Sequence, residues 1–417
     1  MILPVLVACL GLRAQAVPPQ PLTLEDCIRL AGSVPSAVSV ARQEARIAAL
    51  GTTVARAAFL PQSSLNAGVV LNSATAGNSR FVALNGSREY ITTANVGIEL
   101  DVSGRLRAAY ARSKIDREIA EAGSVITVRD LRRAVTIAFY RLLLTRRLAD
   151  AAAASLVEAR SFEVRTKAMF GGGEVAQADV VKASSQAVAF EQLQQSADLD
   201  TRMANQELAS FWTADVDARL NIEDTLDQLR NAPLSPEPAG VFLKRPEFRI
   251  FDLQKRGFAL AARRERAMLL PQVFLNYQYG IDANQYAFNQ RGSAAFASVT
   301  LPIFDWFRAR SLSNQFSLKA DQTTEVRALT QRVFSREYES ARTRVSSFLQ
   351  QTTAAESQMR LSVENFTLSR LRYEGGEGAA LDVVLAQTQL QQARANYFNT
   401  LFLYAAARAD LEVAAGR

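Results

Sequence analysis

The chain has 417 residues, 48% hydrophobic and 21% charged, with 48 Lys and Arg against 41 Asp and Glu for a formal charge of +7. It contains no histidine, and no Gly-x-Ser-x-Gly elbow, phosphate loop or paired-cysteine cluster stands in for one, so neither catalysis, a cofactor nor a metal centre is expected. The basic residues are interspersed with acidic ones along solvated helix faces, which argues against nucleic acid as a partner.

Met1 to Leu12 is mostly apolar and is followed by Ala14-Gln15-Ala16, the small-x-small pattern of an export cleavage site, so residues 1–16 are expected to be a signal peptide. A competing reading takes Leu6-Val7-Ala8-Cys9 as a lipidation box. With cleavage after Ala16 only Cys27 remains, which rules out an internal disulfide and leaves it the role of a small buried apolar side chain. After the N-terminus no run of about 18 uncharged apolar residues occurs, so a membrane-spanning helix is not expected.

The first half, residues 17–240, begins with a helix bracketed by Pro35 and Pro61, since proline suits a first helical turn and prevents continuation. Periodicity then changes from 3.6 to 2. Strands are predicted at about 62–73 and 89–102, where Leu65, Ala67, Val69 and Leu71, then Tyr90, Thr92, Ala94, Val96, Ile98 and Leu100, alternate with polar residues. The Gly-, Asn- and Ser-rich stretch between them reads as an exposed loop. A helical hairpin over 103–212 and an equatorial segment over 213–240 complete this half. Val135, Leu142, Ala149, Leu156 and Phe170 recur at heptad spacing on its first helix, with Glu163 interrupting the row.

The second half, 241–417, repeats the plan. A helix lies between Pro246 and Pro271, strands follow at about 272–282 and 293–303, and a helical hairpin covers 305–415. From Arg308 to Arg372 there is no proline or glycine, and at about 1.5 Å per residue such a helix approaches 100 Å. Tyr338, Val345, Thr352, Met359, Phe366 and Tyr373 form a heptad row, with Ala341, Phe348, Ala355, Ser362 and Ser369 three places behind. The duplication is plainest at the hairpin turns. Phe170-Gly171-Gly172-Gly173-Glu174 with Asp179-Val180-Val181 returns 203 positions later as Tyr373-Glu374-Gly375-Gly376-Glu377 with Asp382-Val383-Val384.

Four strands of membrane-crossing length cannot close a barrel, for which about eight is the minimum, and open strand edges cannot face lipid. The strands must be pooled: two chains supply eight and three supply twelve. Eight long helices around a dimer would enclose little space, so a trimer is expected.

Leu22-Thr23-Leu24-Glu25-Asp26-Cys27-Ile28-Arg29-Leu30-Ala31 is similar to the Leu-Thr-Leu-x-x-Ala-Ile-x-x-Ala opening of the TolC-like outer-membrane efflux proteins. Pro35-Ser36, the Leu-Pro-Gln elements at 60–62 and 270–272, Arg245-Pro246-Glu247-Phe248, Leu301-Pro302-Ile303-Phe304-Asp305 and the two tip repeats carry the same resemblance, in order, over residues 22–415. It implies a mainly α chain whose hairpins form a periplasmic tunnel and whose four strands join a trimeric 12-stranded barrel in outer-membrane lipid. It further implies a homotrimer that conducts substrates passively to the exterior in an efflux or type I secretion system. A periplasmic adaptor (a membrane fusion protein) and an inner-membrane transporter would be its partners. Cys27 departs from the family's usual small residue. Gly378 stands where some members carry an arginine, so their arginine-centred lock does not transfer.

The tips hold the candidate functional residues. Gly172, Gly173, Gly375, Gly376 and Gly378 are expected to allow the tight turns. Phe170, Tyr373, Glu174, Asp179, Glu374, Glu377 and Asp382 are expected at the mouth, with Arg370 and Arg372 available to pair with carboxylates. Tyr373 and Asp382 would hold neighbouring hairpins together. For Asp179 and Asp382 the competing reading is complementarity to a helix N-terminus. A periplasmic coiled-coil adaptor and a structural scaffold are the rival functions; duplicated strand pairs oppose the first, and the second gives the strands no purpose.

Overall fold

Thr23 sets the start of the first helix. Its hydroxyl accepts from the Asp26 backbone N–H at 3.2 Å, and the Asp26 carboxylate accepts from the Thr23 N–H at 3.3 Å, a reciprocal cap on α1 (Leu24–Ser33). The computed structural model describes residues 21–71, 88–231 and 240–417. The expected signal peptide, with both processing readings, lies outside these residues, as do positions 72–87 of the first strand loop and 232–239 of the equatorial segment.

In chain order the remaining elements are α2 (Ala37–Ala57), β1 (Gln62–Leu71), β2 (Arg88–Leu100), α3 (Arg105–Gly171), α4 (Gln177–Ala209), α5 (Pro246–Ala267), β3 (Gln272–Ala283), β4 (Arg291–Thr300), α6 (Arg308–Glu374) and α7 (Ala380–Ala414). Helices α3 and α6 are each 67 residues long and begin 203 positions apart. The expected mainly helical chain with four antiparallel strands is borne out. Two compact units result, and each draws on both halves of the sequence. One takes its described residues from 41–125 and 246–330; the other takes them from 21–40, 126–245 and 331–417.

The first unit carries the sheet, in the order β1-β2-β3-β4 with every pair antiparallel. Its register puts the alternating apolar residues of all four strands in line. Leu65 pairs with Ala94, Ala94 with Tyr279, Val96 with Tyr277 and Tyr277 with Ala295; Ile98 pairs with Leu275 and Leu275 with Ala297. One face is therefore almost wholly apolar. The opposite face carries Ser64 against Asn95, Asn95 against Gln278, and Gly97 against Asn276. Leu65, Val69, Leu71, Val96, Leu275, Tyr277, Tyr279 and Val299 on the apolar face are exposed. Among the described residues, β1 and β4 each pair along one edge only.

The second unit is helical, and the heptad rows are its seams. Tyr338, Val345, Thr352, Phe366 and Tyr373 are buried along α6, with Ala341 and Ala355 behind them; Val135, Leu142 and Leu156 are buried along α3 with Ala138, Ala152, Ala159 and Thr166. Small residues in the second row let neighbouring helices approach closely. A core of Cys27, Ala31, Val135, Phe139, Leu142, Leu143, Leu208 and Leu401 ties α1, α3, α4 and α7 together. The segment after α4 joins it. Leu22 N–H donates to the Asn221 carbonyl at 2.7 Å and Glu223 N–H to the Leu22 carbonyl at 2.9 Å. Among the described residues no helix is long and apolar enough to cross a membrane.

Burial in that core pushes the Cys27 thiol up to about 12, so the thiolate that reacts is scarce at ordinary pH. In a Cys9→Ser background, Cys27 of the native protein should react with a maleimide at least roughly 100-fold more slowly than after denaturation. Equal rates would place the thiol at the surface.

Candidate functional site

Both hairpins turn by the same backbone device. Glycine holds the left-handed conformation at Gly173 (φ +78°) and Gly376 (φ +79°), which a side chain would strain. At the first turn, Glu174 N–H donates to the Met169 carbonyl at 3.0 Å and Gly173 N–H to that of Phe170 at 3.0 Å. At the second, Glu377 N–H donates to the Arg372 carbonyl at 2.9 Å and Gly376 N–H to that of Tyr373 at 3.1 Å. These are the paired bonds that satisfy the last carbonyls of a helix. At Gly172 and Gly375 a Cβ would meet only ordinary contacts. Gly378 is a close approach, because a Cβ there would lie 3.0 Å from the Tyr373 backbone nitrogen.

The side chains on this shared scaffold differ. Tyr373 is 3% exposed, whereas Phe170, its counterpart 203 positions earlier, is 45% exposed. The Tyr373 ring packs against Phe162 of α3 with centroids 5.1 Å apart, and its hydroxyl donates to Thr166 Oγ1 at 3.4 Å. Thr166 in turn donates to the Phe162 carbonyl at 2.9 Å. Around them Ala183 of α4 and Ala380, Val383, Ala386 and Leu390 of α7 complete an apolar cluster. The Glu374 carboxylate pairs with the Arg165 guanidinium of α3 and lies 3.7 Å from that of Arg370. Tyr373 and Glu374 thus clamp the second hairpin to the first within one chain.

The other tip carboxylates are placed differently. Asp382 accepts from the Ala379 N–H at 3.3 Å, an interaction with the start of its own helix, and Asp179 pairs with Lys182 at 3.2 Å. Glu174, Glu377 and Arg372 are exposed. Sequence reasoning missed Arg165, because its partner is 209 residues away and lone arginines are common on this chain. It also left Glu163 as an interruption of the seam. Ser184 Oγ of α4 donates to that carboxylate at 2.8 Å and Lys167 Nζ lies 2.6 Å away, so the charge is satisfied where an apolar residue was expected.

Further up the hairpins the two halves meet through polar contacts. Ser155 Oγ donates to Gln391 Oε1 at 2.7 Å, Arg394 pairs with Glu158 at 3.2 Å, and Gln186 Nε2 donates to Thr388 Oγ1 at 3.0 Å. The positions 203 later than Ser155, Glu158, Phe162 and Gln186 are Gln358, Leu361, Asn365 and Gln389. These four line an open groove of about 550 Å³ between α6 and α7.

The outer membrane efflux protein family matches over residues 36–213 and 249–417. Solved structures share the fold at low identity. The outer membrane channel CmeC of Campylobacter jejuni is 16% identical with a TM-score of 0.83, over 94% of this chain and 85% of that one. The outer membrane protein VceC of Vibrio cholerae is 17% identical with a TM-score of 0.80, over 94% and 96%. The open-state MtrE outer membrane channel of Neisseria gonorrhoeae is 19% identical with a TM-score of 0.79, over 94% and 88%. No match was found among curated protein sequences.

The Lys167 and then the Ser184 hydrogen bonds hold Glu163 below its ordinary value of 4.5. A carboxylate whose folded pKa is depressed contributes stability above the unfolded value and loses it as pH falls through the folded one. The thermal-stability advantage of the wild type over Glu163→Gln should therefore be full at neutral pH and be lost as pH falls through the depressed folded-state pKa, below the ordinary Glu range. A difference independent of pH would mean that the charge contributes nothing.

Proposed function

The chain belongs to the outer membrane efflux protein family, and we propose that it is the outer-membrane channel of a tripartite efflux or type I secretion system. In this reading it is a homotrimer. Its sheet lies in outer-membrane lipid within a 12-stranded barrel and its helical hairpins form a tunnel in the periplasm. A periplasmic adaptor and an inner-membrane transporter supply the cargo and the energy, while the channel conducts passively.

One observation carries this. The sheet has one apolar face, exposed, and free edges at β1 and β4. In water that face is costly and the edges invite uncontrolled pairing; in lipid the face is favourable, but the edges must be paired by other copies. Strands of 10 to 13 residues suit an outer-membrane crossing. An adaptor or scaffold has no use for such a face.

The internal repeat supports a specific packing of copies. The groove lined by Gln358, Leu361, Asn365 and Gln389 is the second-half equivalent of the surface that α7 and Tyr373 cover within the chain. By the same relation it receives the first hairpin of the next copy, with exposed Val188 opposite Gln358 and Phe170 opposite Asn365. The pair Val188→Cys with Gln358→Cys should therefore cross-link between chains, giving covalent species up to a trimer on oxidation in membranes. Ser155→Cys with Gln391→Cys should close within one chain. Monomers alone from the first pair would sink this packing.

The mouth is held by the tips, with Tyr373 and Glu374 as the clamp. Asp382, turned to its own helix start, supports the turn only. Replacing Tyr373 with Ala and Glu374 with Gln together should raise single-channel conductance in planar bilayers, while Asp382→Ala leaves it unchanged. Unaltered conductance in the double variant would remove the clamp from gating.

A further inference from the structure

We propose that the turn between β4 and α6, residues 301–307, anchors the sheet in the lipid headgroup layer on the helix-bearing side, with Trp306 and Phe307 as the inserted side chains. This rests on the barrel reading above and adds to it a lipid contact made outside the strands.

The first observation is exposure. Ile303 is 95% exposed and Trp306 83%, with Phe304 and Phe307 also exposed beside them. A contiguous apolar patch of this kind marks a contact surface. The rings are organised: Phe304 meets Trp306 edge-on at 4.8 Å between centroids and Phe307 at 6.1 Å.

The second is backbone strain. Trp306 (φ +54°) and Phe307 (φ +61°) are left-handed, and among the described residues no other non-glycine residue is. For bulky side chains this is a marked outlier. The chain supplies its own comparison: 203 positions earlier the β2–α3 junction has Ser103 and Gly104, where glycine takes φ +77° without cost. The second junction puts Phe307 where Gly104 stands in the first, and makes Trp306 left-handed as well where Ser103 is not, so both left-handed positions carry exposed aromatic rings.

The third is position. The turn follows Thr300, whose partner Gln272 begins β3, so it lies at the end of the sheet where helices leave. At the opposite end Tyr90 and Tyr286 pack edge-on at 6.2 Å, with Tyr286 and Phe288 exposed. Aromatic residues thus bracket the apolar face at both ends, as they do at the two interfaces of membrane barrels. Beyond the turn Arg308 and Arg310 are exposed and, among the described residues, make no ion pair, which suits lipid phosphate. The Asp305 carboxylate is occupied, accepting from the Ala309 N–H at 2.8 Å.

The chain has two tryptophans, Trp212 and Trp306, so Trp212→Phe leaves Trp306 as sole reporter. The full-length protein is reconstituted in phospholipid vesicles whose acyl chains are brominated near the headgroup or near the chain end. Trp306 emission should fall more with the shallow bromines than with the deep ones, and the same contrast should appear as the difference between wild type and Trp306→Phe. Quenching by aqueous iodide without bromine quenching would place Trp306 in water and overturn the anchor. Protection from both quenchers would place it against a second copy and overturn it equally. Leu275→Trp, with both native tryptophans changed to Phe, separates this from the barrel reading. Deep-bromine quenching there with none at Trp306 leaves the barrel standing and removes the anchor. No quenching at either position removes both.

Discussion

Every backbone amide and carbonyl in a sheet needs a partner, and water cannot supply one inside a bilayer. The four strands meet this requirement between themselves along three antiparallel pairings and leave it open at β1 and β4. Most apolar side chains lie on one face and most polar ones on the other, with Phe274 and Phe296 as exceptions, a pattern that suits a boundary between an apolar and an aqueous medium. Neither property can be satisfied by the strand-bearing unit alone. The proposed assembly of several copies is motivated by this hydrogen-bond demand at β1 and β4 before any helix is considered.

The helical unit solves a different problem. Its seams are narrow, with alanine, serine and threonine where a globular core would place leucine, and long helices can therefore lie close along much of their length. Stability there is spread over many small contacts. The two hairpins are joined by apolar clusters, such as Tyr373 on Phe162, and by polar contacts set among them: the Tyr373 hydroxyl on Thr166, Glu374 on Arg165, and Arg394 on Glu158.

The two halves place matching helices and turns 203 positions apart and set different side chains on them. The turns superpose in their hydrogen bonds and in the left-handed glycine, yet Tyr373 is buried where Phe170 is exposed, and Val175 stands where Gly378 admits a close approach. Glu163, held by Ser184 and Lys167, corresponds to buried Phe366. At the strand–helix junctions Gly104 corresponds to Phe307. A repeat with identical side chains would offer both of its surfaces equally. This one uses one hairpin contact inside the chain and leaves its counterpart open.

Much of this was legible in the amino-acid order, because period and glycine are local signals. Alternation in Tyr90 to Leu100 and Val273 to Ile281 implied strands with one apolar face, heptads in Tyr338 to Tyr373 implied a seam, and Gly173 and Gly376 marked the turns, each through the geometry of a few adjacent residues. What lay beyond that reach was any fact that depends on residues far apart in the chain. Nothing near Arg165 announces Glu374, nothing near Glu163 announces Ser184, and Asp382 reads as a mouth residue until its carboxylate is seen on the Ala379 N–H. The division into a strand-bearing and a helical unit, each taken from both halves, was equally hidden, since a repeat reports common ancestry of segments and not which segments pack together. The sequence alone settled the elements and their amphipathic faces; the tertiary structure decided which charges are paired and which aromatic rings stay exposed, because those depend on distances that only the folded chain defines.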